Sequence, residues 1–561
     1  MRIVSLGFAL LAASLAFAPP SPAAEPDARR PKKLIAVGWD LDSDTAWIRQ
    51  HAAEMEARPF DGILINVVGR RDDKKPCPMR LAFSKEPWKA EWFDSARDDL
   101  RACRFTRFTD NFLALLANPG DVDWFDDDGW RAIVEHWRIA ARLAKQGGAK
   151  GIGFDPEPYY EPHAAFKYSA QAGRDRRTFE EYAAKARERG REVMKAVAAE
   201  YPDITILSFF LNSVCDRAAG RADPRPILAA EGYGLLPAFL DGWLDAAPPT
   251  VTLVDGHEGS YLYNSDIEFL EAANLIRGEC QGLVSPENRA KYRAQVQTGF
   301  GIYLDAYANP PGSRWRIRGL DGSGAERLRA NTSAAVRAAD QYVWIYGEKC
   351  RWWPTPNKSV TEKTWPEALP GSEGALRFAR DPSDWARWRM AELAKAGPLA
   401  SLLKNGEFSV PPAKKGGPPP DWGAWQDDKS KGMFACDGEV GAAAKGSARL
   451  AGVADGCFIQ GVKAAPGRRY AVEAALRIQG RGDALVLVRW QAADEKWTAE
   501  EKDVPLVATG PRGEWAGIFG VVEVPEGAGR LLVLLLSRGQ SSAEDVAWFY
   551  DVRLYALDQD K

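Results

Sequence analysis

Histidine and cysteine are scarce, at 4 and 7 in a chain of 561 residues. No CxxC, HxH or HExxH spacing occurs, so neither a structural zinc site nor a zincin-type centre has the material it needs. No metal and no cofactor is therefore expected. Excess charge of one sign is also missing. Lys+Arg is 74 and Asp+Glu is 77, a formal net charge of -3. That balance gives no footprint for nucleic acid or an anionic membrane. There is no GxGxxG or P-loop for nucleotide phosphates and no GxSxG elbow for a serine esterase. Beyond the first two dozen residues, no apolar run is long enough to span a bilayer. Low-complexity tracts and internal repeats are absent too. With 45% hydrophobic and 27% charged residues, the chain is that of a folded globular protein. Tryptophan is plentiful instead, at 21 residues. Flat indole faces suit both large cores and sugar-binding surfaces.

Residues 1–24 have the form of a secretory signal peptide. Arg2 supplies the positive start, Ile3 to Ala18 is apolar and uncharged, and Ser21-Pro22-Ala23 offers small residues before a cut. The mature protein is expected to be secreted or periplasmic, with no membrane attachment once the signal is removed. An oxidising compartment permits disulfides. Cys77 with Cys103 and Cys436 with Cys457 are the pairs to test, and an odd total leaves at least one thiol free.

From residue 33 to about 350, apolar runs alternate with helical patterns. The runs are Leu34 to Asp40, Gly62 to Val68, a weaker one near Phe108 to Leu116, Gly151 to Pro158, Ile204 to Asn212, Val251 to Asp255, Gly301 to Tyr307 and Tyr342 to Glu348. Amphipathic helices lie between them, the clearest at Trp130 to Gln146 and Phe179 to Glu200. Strand–helix alternation predicts a parallel sheet, and eight units predict an α/β (β/α)8 barrel over residues 33–400. A doubly wound open sheet is the alternative. From 401 to 558 the runs are short, alternating and separated by Gly and Pro, which predicts an all-β sandwich or jelly roll.

Barrel enzymes build their sites at the C-terminal ends of the strands. Acids and amides recur there. The densest group is Phe154-Asp155-Pro156-Glu157-Pro158-Tyr159. Residues i and i+2 of a strand share a face, so Asp155 and Glu157 point together into the barrel mouth. Repulsion between neighbouring carboxylates keeps a proton on one of them, which suits a general acid. Glu157 is the expected proton donor, with Asp155 positioning it. The second catalytic carboxylate is expected among Glu348, Asp305 and Glu258, with Glu348 slightly ahead. Glu258 stands in Val254-Asp-Gly-His-Glu-Gly-Ser-Tyr261, Asp305 between Tyr303 and Tyr307, and Glu348 on the face of Trp344 and Tyr346. Asp40, Asn66, Asn111, Tyr159, Asn212, Asp255, Tyr261, Tyr303 and Trp344 are the candidate sugar contacts. His257 is expected to be a hydrogen-bonding loop residue. Paired carboxyl groups walled by aromatic rings are what glycosidic hydrolysis needs.

The layout resembles barrel glycoside hydrolases. Pro156-Glu157-Pro158 is similar to the Asn-Glu-Pro acid/base position of the large retaining clan, with Pro156 in place of Asn. That clan implies a Glu nucleophile on the seventh strand, where this chain has Asp305. Asp155-x-Glu157 is similar to the end of the chitinase-type motif, in which the Glu is the acid and the Asp supports the substrate. Asn405-Gly406-Glu407-Phe408 and Phe549 to Leu554 resemble the start and finish of carbohydrate-binding jelly-roll modules. That resemblance implies Asp551 as a possible calcium ligand, although Ser409 stands where such modules have Glu. Trp422, Trp425, Trp490 and Trp497 are its candidate sugar-stacking residues.

The expectation is thus an exported glycoside hydrolase acting on a poly- or oligosaccharide. A non-catalytic glycan-binding protein, a polysaccharide lyase and a metal-dependent hydrolase are the rivals.

Overall fold

The computed structural model describes residues 31–38, 44–320, 322–355, 360–414, 417–428 and 430–558. The expected signal peptide and Asp40 lie outside them. Eight parallel strand positions follow one another around a barrel: β1 (Lys33–Gly38), β2 (Gly62–Ile65), β3 (Phe112–Pro119), β4 (Gly151–Asp155), β5 (Thr205–Ser208), β6 (Thr252–Asp255), β7 (in two segments, Val296–Thr298 and Phe300–Tyr303) and β8 (Tyr342–Gly347). The first segment of β7 pairs with β6 and the second with β8. The switch falls at Gly299, whose N–H bonds the carbonyl of Asp255 at 2.8 Å. A Cβ there would lie 2.9 Å from Val254 Cγ1, so glycine lets one strand bend between two neighbours. β8 closes on β1 with Lys33 opposite Tyr342 and Gly38 opposite Gly347.

The strands read as continuous apolar runs because parallel strands are covered on both faces. Phe154 on β4 turns outward and packs against Trp137, Phe166 and Trp243 beneath the helices. Gly151 and Gly153 turn inward. Helix α1 (Asp127–Gly147) starts on Asp126, whose carboxylate accepts from Gly129 N, and ends on Gly148 at φ 76°. Helix α2 (Phe179–Glu200) opens with a Thr178/Glu181 capping box. Neither signal depends on tertiary contacts, and both helices lie where their periodicity predicts.

Gly151 marks a close approach of backbones. A Cβ there would come within 1.8 Å of the Thr205 carbonyl oxygen on β5. A main-chain atom in a ladder cannot move aside. Gly151→Ala is expected to destabilise the barrel by about 1–3 kcal/mol, seen as a lower urea midpoint.

The third strand lies four residues further on than its apolar run suggests, and this reverses one assignment. Asn111 stands at the N-terminal end of β3, on the floor of the barrel. Its Oδ1 accepts from Ile63 N at 3.1 Å and its Nδ2 donates to Phe108 O at 2.8 Å. Its neighbour Asp110 accepts from Tyr342 and pairs with Lys33, both at strand starts. Asn111 thus faces away from the mouth and cannot contact a substrate there.

Helix α3 (Pro382–Ala394) leads to the second part of the chain. There, β9 (Gly423–Gln426), β10 (Met433–Asp437), β11 (Ser447–Ala451), β12 (Asp455–Lys463), β13 (Arg469–Gln479), β14 (Asp483–Gln491), β15 (Val504–Leu506), β16 (Ala516–Glu523), β17 (Arg530–Arg538) and β18 (Val546–Ala556) form two antiparallel sheets. Their orders are β9-β12-β17-β14-β15 and β10-β11-β18-β13-β16. A core including Val472, Val486, Leu535 and Phe549 lies between them. Trp422 and Trp490 are buried in this core, which removes them as sugar platforms; Trp425 and Trp497 are exposed. Asp551 accepts from Arg553 Nε, so the expected calcium ligand is engaged in an ion pair. Helix α3 packs on this sandwich, with Arg387 over the Phe519 ring at 3.8 Å and Trp385 clustered with Tyr555 and Leu557.

All seven cysteines are unbridged. The two pairs proposed from sequence do not form. Cys436 and Cys457 lie on opposite sheets, and Cys457 clusters with Leu532 and Leu534 on the outer face of its own sheet. Cys77 sits in a two-stranded ribbon opposite Gly69, and Cys103 caps the helix Asp94–Ala102.

Candidate active site at the barrel mouth

β4 ends at Asp155, and the chain leaves it through two prolines. Asp155 is buried, and both its oxygens are taken. Oδ1 accepts the Glu157 N–H at 2.8 Å, and Oδ2 lies 2.9 Å from the Tyr159 hydroxyl. The same hydroxyl is 2.6 Å from Glu157 Oε2. One phenolic proton cannot serve two carboxylates, so a second proton on the Asp155/Glu157 pair completes the arrangement. Burial pushes Asp155 up to about 7, and the Glu157 charge adds to the effect; the Glu157 N–H and Tyr159 bonds oppose it.

Asn118, on β3, clamps this turn. Its Nδ2 donates to the Glu157 carbonyl at 2.7 Å, and its Oδ1 accepts the Tyr159 N–H at 2.8 Å. Reading the third strand too early conceals Asn118 in the sequence. Asn118→Ala is expected to leave the fold intact and to speed hydrogen exchange at the Tyr159 amide, because that N–H loses its acceptor.

The β6 exit supplies the third carboxyl. Asp255 is fully buried. It accepts from Ser213 N and Ser213 Oγ, and its Oδ1 lies 3.4 Å from His257 N. Its hydrogen bonds thus anchor the loops after β5 and β6. His257 takes a left-handed φ of 36°, bonds Tyr263 through Nε2 at 2.7 Å, and is held below the usual imidazole range by burial. A non-glycine residue in this backbone region stores strain and needs such support. The next residue is Glu258, whose N–H bonds the Phe209 carbonyl at 3.0 Å. Burial pushes Glu258 up to about 8, and the charges of Glu157 and Asp155 push the same way, while a Tyr261 hydrogen bond opposes them. Glu258 is thus coupled electrostatically to the β4 pair. Tyr233 has its phenol raised by burial first, and then by the charges of Glu157, Asp155 and Glu258. It comes from the long β5–β6 connection, which has no periodicity to reveal it.

The β7 and β8 exits form a neighbouring group. Tyr303 and Tyr346 place their hydroxyls on Glu348 Oε2 and Oε1, at 2.9 and 3.0 Å. Asp305 Oδ2 accepts the Glu348 N–H at 2.8 Å. The strand stops at Tyr303, and Asp305 begins a short helix, Asp305–Ala308. The alternation of Tyr303, Asp305 and Tyr307 expected from sequence is therefore absent, and Tyr307 bonds Asn331 instead. Asp305 is buried, with one oxygen unpartnered, and burial raises it. It supports Glu348 from behind and does not face the mouth. Tyr261, Tyr303 and Tyr346 stack as a wall, with ring centroids 5.2 to 6.0 Å apart.

Two other assignments change. Trp344 has no exposed surface. It stacks on Phe209 at 4.3 Å and donates to the Gly256 carbonyl, filling the barrel beneath the mouth. Asn212 lies in a turn after β5, fully buried, with its amide on the Cys280 carbonyl. Neither touches the mouth. Asn66, Asp155, Tyr159 and Tyr346 line a cavity of about 320 Å³, together with Val37, Leu64, Arg80 and Phe209.

No family model matches this chain, and no curated protein does. Among solved structures, it resembles the enzymatically active domain of tailspike protein 4 from bacteriophage CBA120 over 28% of its length and 21% of the tailspike's (16% identity, TM-score 0.23). It resembles a cyclase from Fischerella sp. TAU over 29% of its length and 100% of the cyclase's (17% identity, TM-score 0.23). A third match is to carbohydrate-binding and catalytic modules of an endo-1,4-β-D-xylanase from Clostridium thermocellum, solved with xylohexaose (14% identity, 24% and 26% coverage, TM-score 0.19). The chain thus spans about a fifth of the tailspike domain and a quarter of the xylanase modules. Likenesses of this extent leave the chemistry to the chain's own side chains.

Proposed function

We propose that this protein is an exported glycoside hydrolase, with Glu258 as proton donor and Glu157 as the opposing carboxylate. The observation that carries this is the hydrogen-bonded Asp155–Tyr159–Glu157 cluster at the mouth of a (β/α)8 barrel, whose charges, after burial, hold the Glu258 carboxyl high. Glycosidic cleavage needs a carboxylic acid to protonate the leaving oxygen and a carboxylate to attack, or to activate water, on the other side. Burial beside two acids keeps a proton on Glu258 near neutral pH, which fits it for the first task. Glu157 keeps Oε1 clear of its bond to Tyr159, which fits it for the second. Asp155, with both oxygens occupied, positions Glu157 through its N–H and through Tyr159. This division moves the proton donor from Glu157, where the strand-end pattern alone would put it. Glu348 is held by two tyrosines on the adjoining wall and is assigned to sugar binding, with Asn66, Tyr159, Tyr233 and Tyr261.

The test is product analysis on a panel of polysaccharides and aryl glycosides. Hydrolysis releases saturated reducing ends. An ultraviolet-absorbing unsaturated product would instead indicate a lyase. Sugar-induced thermal stabilisation without turnover would indicate a binding protein.

A further inference from the structure

Two cationic features border the mouth, and the proposed chemistry uses neither. The first is Arg80. Its carbonyl accepts the Leu116 N–H, which seats it beside β3, and it lines the 320 Å³ cavity with Asp155 and Asn66. Among the described residues its guanidinium has no hydrogen bond or ion pair. The second is the loop after β7, Asn309 to Leu320, which carries Arg314, Arg316 and Arg318 and no acid. The loop is pinned. Asn309 Nδ2 donates to the Trp315 carbonyl, the Ile317 N–H bonds the Ala306 carbonyl at 2.8 Å, and the Ile317 side chain is buried. Pinning leaves the flanking side chains outside. All three arginines are exposed, and none has an ion pair among the described residues. Trp315 is 38% exposed and stands edge-on to Tyr303, the tyrosine that holds Glu348. The loop is therefore joined to the wall of the mouth.

Barrel arginines divide between paired ones, such as Arg138, Arg187 and Arg380, and unpaired ones. What sets Arg80 and Arg314 to Arg318 apart is their place beside the cavity and the tyrosine wall. The Arg314 guanidinium lies over the Trp315 ring at 5.4 Å, Arg316 and Arg318 offer planar oxyanion recognition beside it, and the indole keeps exposed surface for stacking.

We propose that the substrate is an anionic glycan, a polysaccharide bearing carboxylate or sulfate groups, which Arg80 and the Arg314–Arg318 loop recognise while Trp315 stacks on a sugar ring. This rests on the glycosidase proposal and names the substrate class of the same site. A polyanion of another kind, such as single-stranded DNA, would satisfy the arginines but not the acids and tyrosines at the mouth.

The test measures binding of the mature full chain to oligosaccharides of polygalacturonate and alginate, to chondroitin sulfate, and to carboxyl-reduced polygalacturonate. At least one charged glycan is expected to bind roughly tenfold or more tighter than the neutral one, and its affinity should fall with added salt. The uronate and sulfate arms distinguish the two anions. Arg314→Ala/Arg316→Ala/Arg318→Ala, on an exposed rim, is expected to abolish that preference and spare the fold. Arg80→Met is expected to weaken charged binding alone. Equal binding of the neutral glycan, no binding of any charged one, or tighter binding of single-stranded DNA would overturn the proposal. A charged glycan that binds without being cleaved would refute hydrolysis and leave this inference standing. Cleavage of a neutral glycan in preference to charged ones would do the reverse.

Discussion

Glu258→Gln is expected to lower kcat/KM by roughly 10²–10⁴-fold, the usual range for loss of a general acid. Gln has nearly the same shape but no proton to give. The pH profile separates this from a binding defect. Activity of the native enzyme should fall as pH rises through about 8, where Glu258 loses its proton. The variant should lack that alkaline limb. The substitution should affect stability in the opposite sense to activity. The folded-state value of Glu258 lies above its unfolded one, so the contribution of its protonated form is full at acid pH and is lost as pH rises toward 8. Above that, the native protein buries a charge that the variant does not. Glu258→Gln should therefore be the more urea-resistant of the two at pH 9. A dead variant that is also unstable would point to misfolding and not to lost acid chemistry.

Glu157→Gln is expected to cost activity on the same scale, roughly 10²–10⁴-fold, because the attacking or base-acting carboxylate is gone. It should also change its neighbours. The Glu157 charge helps to raise both Asp155 and Glu258. Removing it should lower the titration midpoint of each, which carbon-13 NMR of the carboxyl groups can follow. Unchanged midpoints would mean that Glu157 does not face Glu258. The double variant should lose little more than either single one, since the two groups act on one bond.

The barrel was legible because parallel strands covered on both faces are written as unbroken apolar runs, and because the helix caps are local signals. Depth within the barrel was not legible. Trp344 and Tyr346 share a face two residues apart, yet one fills the core and the other reaches Glu348. Alternation tells which side a residue faces, not which layer it occupies. The β7 exit failed for another reason. Asp305 follows a strand pattern that the backbone abandons at Leu304, so period-2 logic carried one residue pair too far. Phe108 to Leu116 mixed loop aromatics with the start of β3 and so exchanged Asn111, on the floor, for Asn118, at the mouth. Asp155, Glu157 and Glu258 were visible as strand-end acids. Their ranking was not, because it depends on which carboxyl is buried beside the others. Tyr233 and the arginine-rich loop lie in irregular connections, where only the folded structure brings them to the site.

The most direct measurement is reducing-end release by the mature protein, Glu157→Gln and Glu258→Gln, side by side on the best glycan from the panel. Release by the native protein is expected, with a loss of at least about a hundredfold in both variants and their folds intact. Native-level release by either variant would remove that carboxyl from the chemistry and contradict the proposed function.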